Sequence, residues 1–214
     1  MKLYLSSQKF GNYVEQLILL CGENKNVVVI ANGLDDKPDG YRKNRIEVEV
    51  ENLKSIGFIP EELDLRNYFN NSEGLRVFLS KKSMVWVRGG SSFILNRAMI
   101  QSGFSRVGVE MIKRSRLVYA GYSAALIVAS TNLLGAELVD DATVIPSGYS
   151  KNINPFLGLG LINFYLIPHI DSKEDWAKNV PLHVKKLQEK NLEVMTLKEG
   201  EVFIVNDSDF KFKN

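Results

Sequence analysis

The stretch LVYAGYSAALIVAS, residues 117–130, runs an apolar segment into Gly-Tyr-Ser-Ala and out into a second apolar segment. A short apolar run bounded by a turn signal reads as a strand buried on both faces, and the run after the turn as a buried helix. The turn is so tight that Ser123 has two readings. As a plain N-cap, its hydroxyl accepts a hydrogen bond from the first turn of the helix. As a nucleophile elbow of the G-x-S-x-G kind, the turn pushes that hydroxyl out at the carboxyl edge of a sheet. The motif here is Gly121-Tyr122-Ser123-Ala124-Ala125. Alanine at its last position is small but cannot relieve a positive φ as glycine does, so this stretch alone leaves both readings open.

The strand–turn–helix unit recurs on the N-terminal side. Strands are expected at residues 2–5, in NVVVIANG (26–33), in FIPEELDL (58–65), in MVWVRGG (84–90) and at 117–120; Pro60 places the third near an edge. Helices are expected at 10–22, 41–56, 72–81, 91 or 92 to 103, and 104–113. This alternation predicts an α/β fold: three layers, a mostly parallel sheet with helices on both faces, in a single domain over residues 1–214. Ligands in such sheets collect at the carboxyl ends of the strands, which puts Gly33, Gly90, Gly121 and Ser123 near one edge. Beyond residue 135 the pattern changes to ELVDDATV (137–144) and then a glycine-spaced apolar stretch, PFLGLGLINFYLIPH (155–169). A polar helix over 174–189 precedes two strands, LEVMTL (192–197) and EVFIVN (201–206).

Composition excludes several classes of function. With 27 basic and 25 acidic residues interspersed along the chain, there is no concentrated basic face of the kind that binds nucleic acid. No apolar run approaches a membrane span and the N-terminus lacks the pattern of a secretory leader, so a cytoplasmic protein is expected. The single cysteine, Cys21, excludes an intrachain disulfide and a cysteine-based zinc cluster, and its place in an apolar helical pattern predicts a packing role. Two well-separated histidines give no metal site. Neither G-x-G-x-x-G nor G-x-x-x-x-G-K occurs, and no cofactor is expected.

A serine hydroxyl is a weak nucleophile until a base takes its proton and a third group orients that base. Only His169 and His183 are available as histidine bases. His169 closes an apolar run and so stands at the end of a strand; His183 lies in VPLHVKKLQ, among polar residues, and reads as an exposed helix position. VRGGSSF (87–93) adds two glycines between a buried strand and a helix. It reads as a glycine turn with Ser91 or Ser92 as N-cap, or as half of an oxyanion hole in which the N–H of Gly90 pairs with that of Ala124.

Strand-Gly-Gly before a helix, a Gly-x-Ser-Ala elbow, a Pro-His closing a strand and a late Leu-x-Glu-Gly occur here in that order. Together with NGLDDKPD…YRKN after the second strand, they resemble the α-aspartyl dipeptidase and cyanophycinase family of serine peptidases, whose fold is similar to the class I glutamine amidotransferases. The resemblance runs over nearly the whole chain. It implies Ser123 as nucleophile, His169 as base and Gly90 as oxyanion glycine. The third member falls on Glu199 through LKEG; Asp140 and Asp141 are alternatives, because the family's aspartate after the serine is replaced in Asn132-Leu133. The resemblance also implies a small peptide substrate with an acidic residue before the cleaved bond.

Three departures from the family pattern carry expectations of their own. Ala125 replaces a glycine and is expected to strain or reshape the elbow. Ser91 replaces an asparagine, removing any contact of its side-chain amide. Lys178 stands where the dipeptidase has an arginine for the acidic side chain, with Arg88 as a second cation, and a lysine offers a point charge in place of a bidentate fork. The leading reading is a serine hydrolase of small peptides. The rivals are a non-catalytic binding module on the same fold, with Ser123 a mere cap, and an esterase or amidase using the same residues.

Overall fold

In the computed structural model, five strands run parallel and deliver their carboxyl ends to one edge. The structure describes residues 1–207 and the backbone of Asp209–Lys213. The parallel strands are β1 (Lys2–Ser6), β2 (Asn26–Ile30), β3 (Ile59–Glu62), β4 (Met84–Val87) and β5 (Val118–Tyr122). Two antiparallel strands, β8 (Val202–Asn206) and β9 (Asp209–Lys213), extend the sheet to seven in the order β3-β2-β4-β5-β1-β8-β9. β3, the strand that carries Pro60, is an edge strand, where a missing N–H donor costs no ladder bond on the open side.

Alternation along each strand sends side chains into two cores, which makes the molecule three-layered. Val27, Val29, Met84, Trp86, Val118 and Ala120 face the layer of α1 (Val14–Cys21) and α2 (Asp39–Ser55), where Leu17, Leu20 and Leu53 meet them. Val28, Ile30, Val85, Val87 and Tyr119 face α3 (Ser72–Leu79), α4 (Ser92–Gln101), α5 (Phe104–Lys113) and α6 (Ala124–Ala129). Each fully buried aliphatic chain contributes about 1.5–3 kcal/mol, which explains why β2, NVVVI, and β4, MVWV, are nearly unbroken apolar runs.

Several expected elements come out shorter, among them the strands in 58–65 and 192–197, now Ile59–Glu62 and Val194–Thr196, and two helices. The helical spacing from residue 10 yields a helix only from Val14, because Gly11 has a φ of 65°, and a Cβ there would lie 2.5 Å from Val202 Cγ2. The expected 174–189 helix is a 3₁₀ turn, Asp175–Ala177, followed by α7 (Val180–Gln188). Pro181 has no N–H to donate and clashes with the fourth carbonyl before it, so it is tolerated only in a first turn, and the helix restarts there. Cys21 is half-buried with its Sγ 3.6 Å from Met84 Sδ, and burial pushes its thiol up to about 12.

The strand that precedes His169 does not join the main sheet. β6 (Tyr165–Ile167) pairs in parallel with β7 (Val194–Thr196), Ile167 opposite Thr196, as a separate two-stranded sheet packed on α6. Parallel pairing sends both chains out at the same end, so Pro168-His169 and the Leu197–Gly200 loop leave side by side. Leu197 N–H donates to Ile167 O at 2.9 Å, and Ile170 N–H donates to Leu197 O at 3.2 Å.

Candidate active site

Ser123 occupies the single residue between β5 and α6, with φ 58° and ψ −110°. Its side chain makes no capping hydrogen bond to the helix, so the N-cap reading fails on geometry. A β-carbon residue at this positive φ is uncommon and costs on the order of 1–3 kcal/mol, and such strain collects at functional sites. Ala125 lies inside α6, fully buried. The turn is tight at Gly121, where a Cβ would lie 2.3 Å from Val87 O and 2.8 Å from Ala125 Cβ.

The β4 end closes on the same spot. A Cβ on Gly89 would lie 2.9 Å from Ser123 Cβ, and one on Gly90 would lie 2.6 Å from Gly33 O. Ser91 N–H donates to Gly33 O at 2.8 Å, while Ser91 Oγ accepts from Ile94 N–H at 3.4 Å and caps α4. The loop after β2 that supplies Gly33 is itself pinned by Asp35, a carboxylate bonded to Arg42 Nε and Asn32 Nδ2 at 2.7 Å each and to Tyr149 OH at 2.5 Å. Asn32, Asp35 and Arg42 of the polar stretch NGLDDKPD…YRKN all belong to this network.

A third group of residues arrives from the small sheet. His169, 5% exposed, has φ 65°, with its backbone N–H donating to Ser7 Oγ at 2.9 Å and its ring edge-on to Trp176 at 4.7 Å. His169 Nδ1 lies 2.7 Å from Glu199 Oε1, and Glu199 N–H is fixed by Asp171 Oδ1 at 2.9 Å. His169 Nε2 is buried with no hydrogen-bond partner. A buried polar atom without a partner is rare in folded proteins and points to a missing one.

Ser123, Gly90, Ala124, Arg88, Asp140, Asp141 and His169 all border one cleft of about 640 Å³. Ser123 and His169 share it without a hydrogen bond closing between them, since Nε2 is unpartnered. Of the three acids considered for His169, Glu199 alone contacts it. Asp140 Oδ2 accepts from Ser92 N–H at 2.8 Å, and Asp141 Oδ1 accepts from Thr143 N–H at 2.8 Å. Lys178 is exposed and is not among the residues bordering the cleft. Arg88 borders it, its Nη1 donating to Gly89 O and its Nε, 3.8 Å from Glu49 Oε1, buried without a hydrogen-bond partner.

His183 corrects the expectation of an exposed helix position. It is 1% exposed and borders the cleft, with Nε2 donating to Leu134 O at 3.0 Å, and burial lowers its pKa. The helical segment looks polar only because α7 buries a narrow stripe, Val180, His183, Val184 and Leu187, spaced three and four apart. His183→Ala is therefore expected to cost about 1–3 kcal/mol of stability through the orphaned Leu134 carbonyl, read as a lower Tm.

Sequence reading also missed Ser7, Trp176 and Glu49. Glu49, 6% exposed, accepts from Trp86 Nε1 at 2.9 Å and Tyr122 OH at 2.5 Å, so one carboxylate on α2 clamps the ends of β4 and β5. A Glu in a helix whose other face is solvated carries no signal of this in its spacing.

The model of peptidase family S51 matches residues 10–213. The chain belongs to peptidase family S51. This S51 chain is 26% identical over 146 residues to an uncharacterized peptidase of Listeria monocytogenes, covering 67% of each. To an uncharacterized peptidase of Pasteurella multocida it is 23% identical over 174 residues, covering 78% of this chain and 76% of the relative. Among solved structures, its fold is similar to that of a Listeria monocytogenes protein named as a candidate peptidase E. The TM-score is 0.76 at 21% identity, with 99% and 97% of the two chains covered. A peptidase from an acI-B1 Actinobacterium gives a TM-score of 0.69 at 14% identity, with 99% and 86% covered. Membership of the family makes the chain a peptidase of the serine class.

Proposed function

We infer that this S51 chain hydrolyses short peptides with Ser123 as nucleophile, His169 as general base and Glu199 as the group that orients the imidazole. One observation carries the reading: an imidazole held by a carboxylate on one nitrogen presents its other, buried and unpartnered, in the cleft that Ser123 borders. With Nδ1–H donating to Glu199, the neutral tautomer leaves Nε2 as the acceptor for a proton. Catalytic hydrogen bonds often close only when substrate is bound.

In this scheme Ser123 Oγ attacks the scissile carbonyl while its proton passes to His169 Nε2. The resulting oxyanion lies against the N–H groups of Gly90 and Ala124, the first at the end of β4 and the second in the opening turn of α6, where backbone donors have no intrahelical acceptor. Each such donor is worth about 2.7–4 kcal/mol in the transition state by analogy with donor deletions. His169 then returns the proton to the leaving amine, and water hydrolyses the acyl-enzyme by the same route in reverse. Of the two cations considered for an acidic first residue, Lys178 stands outside the cleft, while Arg88 borders it with Nη1 donating to Gly89 O and Nε buried without a hydrogen-bond partner.

The direct test is labelling with a fluorophosphonate followed by peptide mapping. A single adduct on Ser123, absent in His169→Ala, is the expected result. A folded protein that takes no label, or labels equally without His169, would identify a binding module on this fold.

A further inference from the structure

The turn after β4 carries a backbone donor whose aim has a visible cause. Arg88 Nη1 donates to Gly89 O, the carbonyl of the Gly89–Gly90 peptide. No peptide bond among the described residues is cis, and in a trans peptide the C=O and the N–H point in opposite directions. A donor that holds Gly89 O on one side therefore sends Gly90 N–H out on the other. That N–H has no acceptor among the described residues, while Arg88 N–H donates to Ile30 O at 2.9 Å and Ser91 N–H to Gly33 O at 2.8 Å. Glycine on both sides lets such a peptide rotate as a unit, so its orientation needs an external hold.

The hold is itself anchored. Arg88 Nε faces Glu49 Oε1 at 3.8 Å, an ion pair too long for a hydrogen bond, and the two side chains are only 16% and 8% exposed. Glu49 Oε1 also accepts from Tyr122 OH at 2.5 Å, and Oε2 accepts from Trp86 Nε1 at 2.9 Å. Burial raises the pKa of Tyr122, which keeps its hydroxyl protonated as a donor. The Tyr122 ring lies against Gly89, where an added Cβ would come within 3.1 Å of Cε2 and 2.9 Å of Ser123 Cβ. One carboxylate on α2 thus reaches the residue before the nucleophile and the arginine that holds the Gly89 carbonyl.

We propose that Arg88 and Glu49 are positioning residues that hold the Gly89–Gly90 peptide with its N–H turned toward the oxyanion. Arg88 acts through the Gly89 carbonyl, and Glu49 acts through Arg88 and Tyr122. The hydrogen bond on Gly89 O also polarises the peptide and strengthens Gly90 N–H as a donor. The proposal rests on the catalytic reading of Ser123 and concerns the reacting carbonyl, whatever side chain flanks it. It also gives a reason for the pair to be kept. Desolvation offsets most of the attraction in a buried ion pair, so stability alone does not call for one here.

The test uses diisopropyl fluorophosphate on the full chain. This reagent is uncharged, its P=O takes the place of the reacting carbonyl, and it offers Arg88 no carboxylate. Arg88→Met keeps an aliphatic stem and removes the donor. It should slow attachment of the reagent to Ser123 by about 10- to 100-fold, the cost of misplacing a donor rather than deleting it. The loss should fall on kinact, with KI little changed. Arg88→Lys keeps a donor long enough to reach Gly89 O and should stay within about fivefold of the native rate. Glu49→Gln should slow the reaction by about three- to tenfold alone, and by little more in the Arg88→Met background, because both changes act on one peptide.

Tm measured beside each rate separates a slowed site from a loosened fold. A native rate in folded Arg88→Met, with a loss confined to cleavage of the p-nitroanilide of Asp, would make Arg88 a cation for the substrate. That result overturns the proposal and leaves the catalytic reading standing. A native rate in folded Glu49→Gln overturns the anchoring role, and it does so even if Arg88→Met fails to fold. Absence of label on Ser123 in the folded native protein overturns the catalytic reading and the proposal together.

Discussion

Ser123→Ala is expected to abolish peptide cleavage, with a loss on the order of 10⁴ to 10⁶ in kcat, while the protein stays folded. The magnitude follows from removing the only atom that forms the acyl bond, which leaves nothing but oxyanion stabilisation and binding to accelerate hydrolysis by water. The fold should persist because the Ser123 hydroxyl caps nothing and the residue is not part of either core cluster. A companion variant tests the elbow itself. Ser123→Gly should be equally inactive yet no less stable than Ser123→Ala, because glycine takes φ 58° without the Cβ penalty, and that relief offsets its larger unfolded-state entropy. Circular dichroism and Tm measured beside kcat decide both points. Appreciable turnover in Ser123→Ala on any peptide cleaved by the native protein would remove serine catalysis from consideration.

Glu199→Gln should lower kcat by roughly 10² to 10⁴ while KM changes little. Glutamine preserves the size of the side chain, so the 2.7 Å contact to His169 Nδ1 can persist in length. It forfeits the negative charge that stabilises the imidazolium formed when Ser123 gives up its proton. An amide can also present its NH₂ to Nδ1 and so hold the wrong tautomer, with the proton on Nε2, where it cannot accept one. Asp141→Asn, by contrast, removes a charge whose hydrogen bonds are spent on Thr143, and should leave kcat near the native value. A reversed order of effects in the two variants would redraw the site around the aspartate. His169 itself should keep its place in Glu199→Gln, since Ser7 and Trp176 hold its backbone and ring independently.

Much of this architecture is legible in residue order. Short apolar runs closed by a glycine turn are best satisfied as strands covered on both faces, so NVVVIANG and MVWVRGG point to a layered parallel sheet before any contact is known. The Gly-Gly after β4 and the Gly-Tyr-Ser after β5 are likewise local. Their spacing from a strand end decides that both arrive at the carboxyl edge, and the close approach at Gly89, Gly90 and Gly121 explains why those positions lack a Cβ.

Contacts between distant segments were a different matter. That Glu199 meets His169 and Asp140 does not depends on β6 pairing with β7 in a sheet of their own, Ile167 opposite Thr196, a register that no periodicity reveals. The same holds for Ser7, 162 positions from the His169 N–H it accepts. His183 looked solvated because its chain neighbours are polar, yet only every third or fourth residue of a surface helix faces inward, and the packing of α7 chose which. Lys178 shows the reverse. Counting along the chain put it in the cleft, but the break before Pro181 turned the segment and left it in solvent. Local pattern determined which residues end strands at the active edge; long-range register and helix orientation decided which charges face one another across it.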